Sequence, residues 1–210
     1  MTGGLHTLLR SLMPRRCPGC DAQLGASAGL CPACRATLRP QVQRHSPLHL
    51  HPTPHLVVLG PYRGVLGRSV KALKYGGSRE VAGVLGAALA SGVPSEWGVQ
   101  GVSGVPLHRS RQQQRSFNQA ELLGRATAER LGVPYLAALA RQRSTGAQAR
   151  RHASERRVAV QDAFVATGAP LPGTLLLVDD VLTTGSTLLA CTRALQTAGV
   201  QRVYYAVVAR

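Results

Sequence analysis

The most apolar stretch of the chain is Leu175-Leu-Leu-Val178, bounded by Gly173 on one side and by two acids on the other. Four large aliphatic residues with no polar alternation predict a strand buried on both faces. Five small residues follow the acids at 183–187, and then apolar positions recur at helical spacing over 188–195. The local order is therefore strand, acids, tight loop, helix. Elsewhere, short apolar runs predict strands at 56–59, 99–105, 135–139, 164–165 and 203–208. Helical patterns cover 64–73, stopped near Gly76-Gly77, and 80–90. A third covers 117–131, with Leu122, Leu123, Ala126 and Leu131 on one face and Gly132 as its stop. Strands that alternate with helices predict an α/β body, a mostly parallel sheet with helices on both faces.

The pattern changes at both ends of this body. Residues 1–16 carry a helical stripe of Leu5, Leu8, Leu9 and Leu12, too short for a secretory segment and read as a docking helix. Cys17-Pro-Gly-Cys20 and Cys31-Pro-Ala-Cys34 follow, two Cys-x-x-Cys pairs ten residues apart. Such pairs close a tetrahedral thiolate site, so Cys17, Cys20, Cys31 and Cys34 are expected to hold a structural Zn²⁺. Disulfides or an iron–sulfur role are the alternatives. With almost no core of its own, this module would take its fold from the metal, and chelation should unfold 17–34 alone. Residues 40–55 hold four prolines and His45, His49, His51 and His55, and read as a solvated connector. The organisation expected is thus 1–39, N-terminal helix and zinc module; 40–55, linker; 56–210, the α/β body. Cys191, alone in the last helical pattern, reads as a buried small hydrophobe.

The chemistry concentrates after Val178. Gly185 permits a tight turn, and the free amides of the loop and first helical turn form an anion site, supplemented by the hydroxyls of Thr183, Thr184, Ser186 and Thr187. Asp179 and Asp180 point to opposite sides of their strand; carboxylates there suit sugar hydroxyls and a hydrated Mg²⁺. Phosphate, diol and metal in one place suggest a phosphorylated ribose. The run from Val178 to Thr187 resembles the phosphoribosyl pyrophosphate (PRPP) motif of type I phosphoribosyltransferases. That resemblance implies acids on the ribose hydroxyls and the small loop on the 5-phosphate.

Composition adds a bias in charge. Net charge is +16 and lysine occurs only at 71 and 74, so arginine supplies nearly all of the 25 basic residues. That surplus points to anionic partners, phosphorylated small molecules or nucleic acid. Two Phe and one Trp make the core aliphatic. No apolar run approaches a membrane span, and a cytoplasmic protein is expected.

The resemblance widens to the ComF family, the amidophosphoribosyltransferase-like proteins linked to DNA uptake. It is carried by Tyr62-Arg63-Gly64, Ala72-Leu-Lys-Tyr75, Val105-Pro-Leu-His108, Phe117-Asn-Gln-Ala-Glu-Leu-Leu123, Gln148, Glu155-Arg-Arg157, Ala163-Phe164 and the acidic motif, with the four cysteines. It implies that Leu107, His108 and Arg109 form the pyrophosphate loop. It also implies that 141–157, with Gln148, Arg150, Arg156 and Arg157, form a basic hood closing over the substrate. The chain departs from the family at Gly104, often Pro, and at Ser116, often Gly. Two functions follow from the resemblance. One is a protein binding Mg²⁺–PRPP that handles incoming single-stranded DNA beside a helicase-like partner. The other is an active phosphoribosyltransferase of the nucleotide or purine salvage type, with Asp179 and Asp180 in the catalytic site and an unnamed acceptor.

Overall fold

The computed structural model describes residues 15–48, 53–76, 78–107, 117–141, 163–168 and 170–210. The expected helix at 1–16 lies almost wholly outside them. In chain order the elements are α1 (Pro32–Ala36), β1 (Gln41–Gln43), β2 (Leu56–Val58), α2 (Gly64–Gly76), α3 (Arg79–Ala90), a 3₁₀ turn (Ser95–Trp97) and β3 (Gly101–Gly104). They continue with α4 (Gln119–Leu131), β4 (Leu139–Arg141), β5 (Phe164–Ala166), β6 (Thr174–Val181), α5 (Ser186–Thr197) and β7 (Arg202–Ala209).

Five strands form the main sheet in the order β1-β2-β7-β6-β3. β2, β7, β6 and β3 run parallel, and β1 is antiparallel at one edge. β6 lies between β7 and β3, which explains its unbroken apolar run: Leu175 through Val178 have no exposed surface. Period-two alternation divides their side chains between two cores. Leu176 and Val178 join Val57, Val102, Ala206 and Val208 against α2, α3 and α4. Leu175 and Leu177 join Leu56, Val58, Tyr205 and Val207 on the face covered by α5. The α/β class is as the pattern predicts. Among the described residues, no helix is long and apolar enough to cross a membrane.

Three segments differ from the sequence reading. The strands expected at 135–139 and 164–165 do not extend the main sheet. Tyr135 makes a single parallel bridge to Val102, and β4 pairs with β5 as a separate antiparallel ribbon. The ribbon buries Leu139 and Phe164 against the α5 side of the sheet; of the hood expected at 141–157, all but Arg141 falls outside the described residues. The Pro/His stretch supplies β1, and its Leu48 and His55 are buried. His55 Nδ1 lies 2.6 Å from the Thr53 carbonyl and Nε2 lies 2.6 Å from Ser46 Oγ. Finally, Leu24, Leu30 and Leu38 of the cysteine region share one continuous core with α2 and α3.

Candidate functional site

Parallel sheets gather ligands beyond the carboxyl ends of their strands. At that edge β6 ends at Val181, and Leu182 is buried, its amide donating to the Ala209 carbonyl at 2.9 Å. This bond fixes the strand end to β7, and the chain then rises into Thr183 and Thr184, both exposed. Gly185 follows in the left-handed region with φ of 78°. A Cβ there would fall 2.8 Å from Leu48 Cδ2 and 3.3 Å from Pro47 Cγ. Pro47 and Leu48, in the stretch whose composition reads as a connector, thus form the wall behind the loop.

α5 starts at Ser186 with Gly185, which has no side chain, as its N-cap, and the Ser186 amide makes only a long contact with Thr184 Oγ1 at 3.5 Å. The first amides of a helix lack acceptors within it, and the helix dipole favours an anion beside them. Thr184 Oγ1 and Ser186 Oγ lie 3.0 Å apart, an exchangeable hydroxyl pair at the mouth. Asp179 and residues 183–187 line one small open concavity.

The two acids face opposite sides, as alternation predicts, and their surroundings are unequal. Asp180 is 6% exposed. Its Oδ2 accepts from Gln119 Nε2 at 3.1 Å and pairs with Lys74 Nζ at 3.2 Å. Asp179 is half-buried and lines the concavity; its Oδ1 accepts the Asp180 amide at 2.8 Å. Burial, and next the Asp180 charge, push the Asp179 carboxyl up to about 8, against the opposing pull of the Asp180 amide and Lys74.

Lys74 and Gln119 were not assigned to the site from sequence. Lys74 is in the last turn of α2, a position that favours a cation. Gln119 is the first residue of α4, whose start is fixed by Asn118: Oδ1 accepts the Ala120 amide at 3.0 Å, and Nδ2 donates to the Val105 carbonyl at 3.0 Å. Gly104 permits this approach, because a Cβ there would come 2.6 Å from the Ala120 carbonyl oxygen. The local signal for both residues was a helix boundary at the carboxyl edge.

Of the expected pyrophosphate loop, Leu107 is described and half-buried; His108 and Arg109 lie outside the described residues. Leu107 lines a separate concavity of about 270 Å³ with Asn118, Glu121, Tyr135 and Arg141. Gln148, Arg150, Arg156 and Arg157 also lie outside the described residues. Arg141, at the base of the expected hood, lays its guanidinium 5.1 Å from the Phe164 ring centroid.

The cysteine sulfurs of Cys17, Cys20, Cys31 and Cys34 lie within 4.8 Å of one another, and three of the four residues are buried. All are free thiols, which sets the disulfide alternative aside. Cys20 Sγ and Cys31 Sγ are 3.6 Å apart; a tetrahedral zinc with thiolate bonds near 2.3 Å places its ligands about 3.8 Å apart. Burial raises the Cys17 thiol, but the amides of Cys31 and Gly19 and the neighbouring thiols outweigh it and bring it down to about 6. Burial, and next the thiols of Cys20, Cys17 and Cys31, raise Cys34. The donor set fits structural zinc. Cys191 is fully buried, as expected, and burial raises its thiol.

Comparison with known proteins assigns two parts of the chain. Residues 118–210 match the phosphoribosyl transferase domain, and residues 8–46 match the double zinc ribbon domain. Over 103 residues the chain is 35% identical to competence protein F of Haemophilus influenzae, covering 47% of this chain and 45% of that protein. Over 99 residues it is 34% identical to competence protein ComFC of Streptococcus pneumoniae, covering 47% and 43%. The chain thus spans less than half the length of these curated relatives. Among solved structures, a glutamine PRPP amidotransferase from B. subtilis aligns with a TM-score of 0.44 at 22% identity, over 62% of this chain and 27% of that one. Adenine phosphoribosyltransferase from Leishmania tarentolae aligns with a TM-score of 0.41 at 16% identity, over 73% and 77%. Over about half its length the chain is thus similar to ComFC-type competence proteins, with one stretch matching a phosphoribosyl transferase domain and another a double zinc ribbon.

Proposed function

We propose that this protein binds Mg²⁺–PRPP at the carboxyl edge of its sheet and serves DNA uptake by handling incoming single-stranded DNA, beside a helicase-like partner. One observation carries the PRPP reading: a helix start with a left-handed glycine as its N-cap, reached by a short hydroxyl-rich loop from a strand that ends just past an acidic pair. The amides and hydroxyls of 183–187 take the 5-phosphate. The acids mark the ribose end, where carboxylates accept from hydroxyls. Leu107, His108 and Arg109 take the pyrophosphate end, and the arginines of 141–157 close over it.

Mg²⁺ would suit Asp179, since a hard, oxygen-seeking cation beside the half-buried carboxyl would favour the ionised form that burial and the Asp180 charge otherwise disfavour. Asp179 is the residue that would hold it. When bound, the ion neutralises charge on the diphosphate. The chain itself binds the phosphate, orients the sugar and fixes the acids.

The DNA reading rests on the net charge of +16 and the kinship with competence proteins. The single tryptophan is 3% exposed and stacks on Tyr204 with centroids 4.3 Å apart, so it offers no platform to bases. Among the described Phe, Trp and Tyr residues only Tyr62 and Tyr75 are widely exposed, against a net charge of +16; phosphate contacts should then dominate, and affinity for single-stranded DNA should fall steeply with salt and show little sequence preference.

A second reading is favoured by the transferase-domain match itself: an active phosphoribosyltransferase of the salvage type. The ribose C1–O bond to pyrophosphate would break as an acceptor nucleophile bonds to C1, pyrophosphate carrying away the electron pair. Incubating the protein with Mg²⁺ and PRPP, with and without bases, amines and DNA, separates the readings. PRPP binding without pyrophosphate release supports the binding role, acceptor-dependent release supports the transferase, and no PRPP binding sinks both.

A further inference from the structure

Lys74 and Gln119 give the acidic pair a division of labour that its sequence does not announce. Lys74 Nζ reaches Asp180 Oδ2 at 3.2 Å from the end of α2, and Gln119 Nε2 reaches the same oxygen at 3.1 Å from the start of α4. Three elements from different parts of the chain therefore meet on one carboxylate. Asp180 is 6% exposed, whereas Asp179 lines the concavity with the loop. The Lys74 side chain is itself only 21% exposed, and its ammonium sits 6.0 Å from the Tyr62 ring centroid. In a chain that uses arginine almost everywhere else, a lysine stands here. A lysine presents a compact charge on a flexible stem, where an arginine would present a planar fork.

Resting on the PRPP reading above, we infer that Lys74 is a positioning residue: with Gln119 it holds Asp180 as an inward anchor, so that Asp179 is the carboxylate presented to ligand. An anchored Asp180 fixes the end of β6, and the backbone that follows is the phosphate loop. A partly buried, hydrogen-bonded pair of this kind is costly to break from one side, because the remaining charge stays unpaired. Lys74 thus acts on ligand through Asp180 and through the loop, without touching it.

The chain's lysine content makes the test direct. Reductive methylation with carbon-13 keeps the charge and yields two lysine side-chain signals, from Lys71 and Lys74, assigned by their loss in single-lysine variants. Lys71 is exposed and serves as the reference. In Asp180→Asn the Lys74 signal should move toward that of Lys71, with or without ligand. Binding of Mg²⁺–PRPP, measured by calorimetry, should weaken about tenfold in Lys74→Met. The Lys74→Met/Asp180→Asn double variant should bind no worse than Asp180→Asn alone, since both changes remove one interaction. A Lys74 signal indifferent to Asp180→Asn overturns the inference. So does a Lys74→Met protein that binds like wild type, and so do losses that add in the double variant, which would place Lys74 on the ligand. If wild-type protein binds no PRPP, the functional reading fails and takes the ligand-side role of Lys74 with it. Normal wild-type binding with an unaffected Lys74→Met sinks the inference alone.

Discussion

Adjacent aspartates look equivalent in a sequence and are not equivalent in the fold. Alternation along β6 was legible from the residues alone, and so was the likelihood of a polar role for both. Their partners were not legible, because Lys74 and Gln119 lie 106 and 61 positions from Asp180 along the chain and meet it through sheet topology. The consequence for Asp179 is measurable. Its carboxyl is pushed from 3.8 to about 8, so between those values the native protein holds a proton that the unfolded chain has released. Native stability should therefore fall as pH rises across this window and level off above it. Asp179→Asn has no such proton to lose. In Mg²⁺-free buffer its unfolding midpoint should match wild type near pH 4 and exceed it by a few degrees near pH 8.5. Denaturation curves at both pH values check this; parallel profiles for the two proteins would remove the basis for treating Asp179 as destabilised when ionised.

At the scale of elements, the strand–loop–helix at 174–197 was readable because each part follows a local rule. An apolar run makes a buried strand, a glycine turns, and helical spacing resumes. The same rules placed α2, α3, α4 and β7 within a few residues. They failed where pairing is decided at a distance. Nothing local tells Phe164–Ala166 to pair with Leu139–Arg141 rather than join the sheet, since a short apolar strand suits either. Nor does a Pro/His-rich composition announce that Gln41–Gln43 adds an edge strand to β2. That edge matters to the loop, because Pro47 and Leu48 just beyond it close the space behind Gly185. An alanine at 185 would pay the left-handed penalty of about 1–2 kcal/mol and also press on Leu48. Gly185→Ala should lower stability by at least that amount and weaken ribose 5-phosphate binding by roughly tenfold, a loss of about 1.4 kcal/mol. Calorimetry and denaturant titration measure the two effects separately. Unchanged binding would show that the loop does not form the phosphate cradle.

At the scale of the whole molecule, the zinc region and the α/β body are joined by specific contacts. The Gly29 amide donates to Glu80 Oε2 at 3.0 Å, and Arg15 pairs with the same carboxylate. Arg68 Nε of α2 donates to the Gly19 carbonyl at 2.7 Å, inside the first cysteine knuckle. A Cβ on Gly19 would meet Val65 Cγ1 at 3.0 Å, so the knuckle lies directly on α2. Leu24, Leu30 and Leu38 complete the same apolar cluster that holds Leu73, Leu85 and Trp97. Metal binding that organises the knuckles therefore also covers one face of α2 and α3, and its free energy is shared with the body. The expectation from sequence, a module that unfolds alone, gives way to coupled melting. Trp97 reports the body, being the chain's one tryptophan and buried against Tyr204, while a chromogenic chelator reports zinc release. Heating should release zinc and shift Trp97 fluorescence together. Prior chelation should lower the Trp97 midpoint by on the order of 10 °C, the shift that a few kcal/mol produces in a chain of this size. A Trp97 midpoint untouched by chelation would mean that the shared core contributes little and that the two regions fold independently. Glu80→Gln should leave the two transitions coincident: it keeps an acceptor for Gly29 and loses only the Arg15 ion pair, worth little at a half-exposed site.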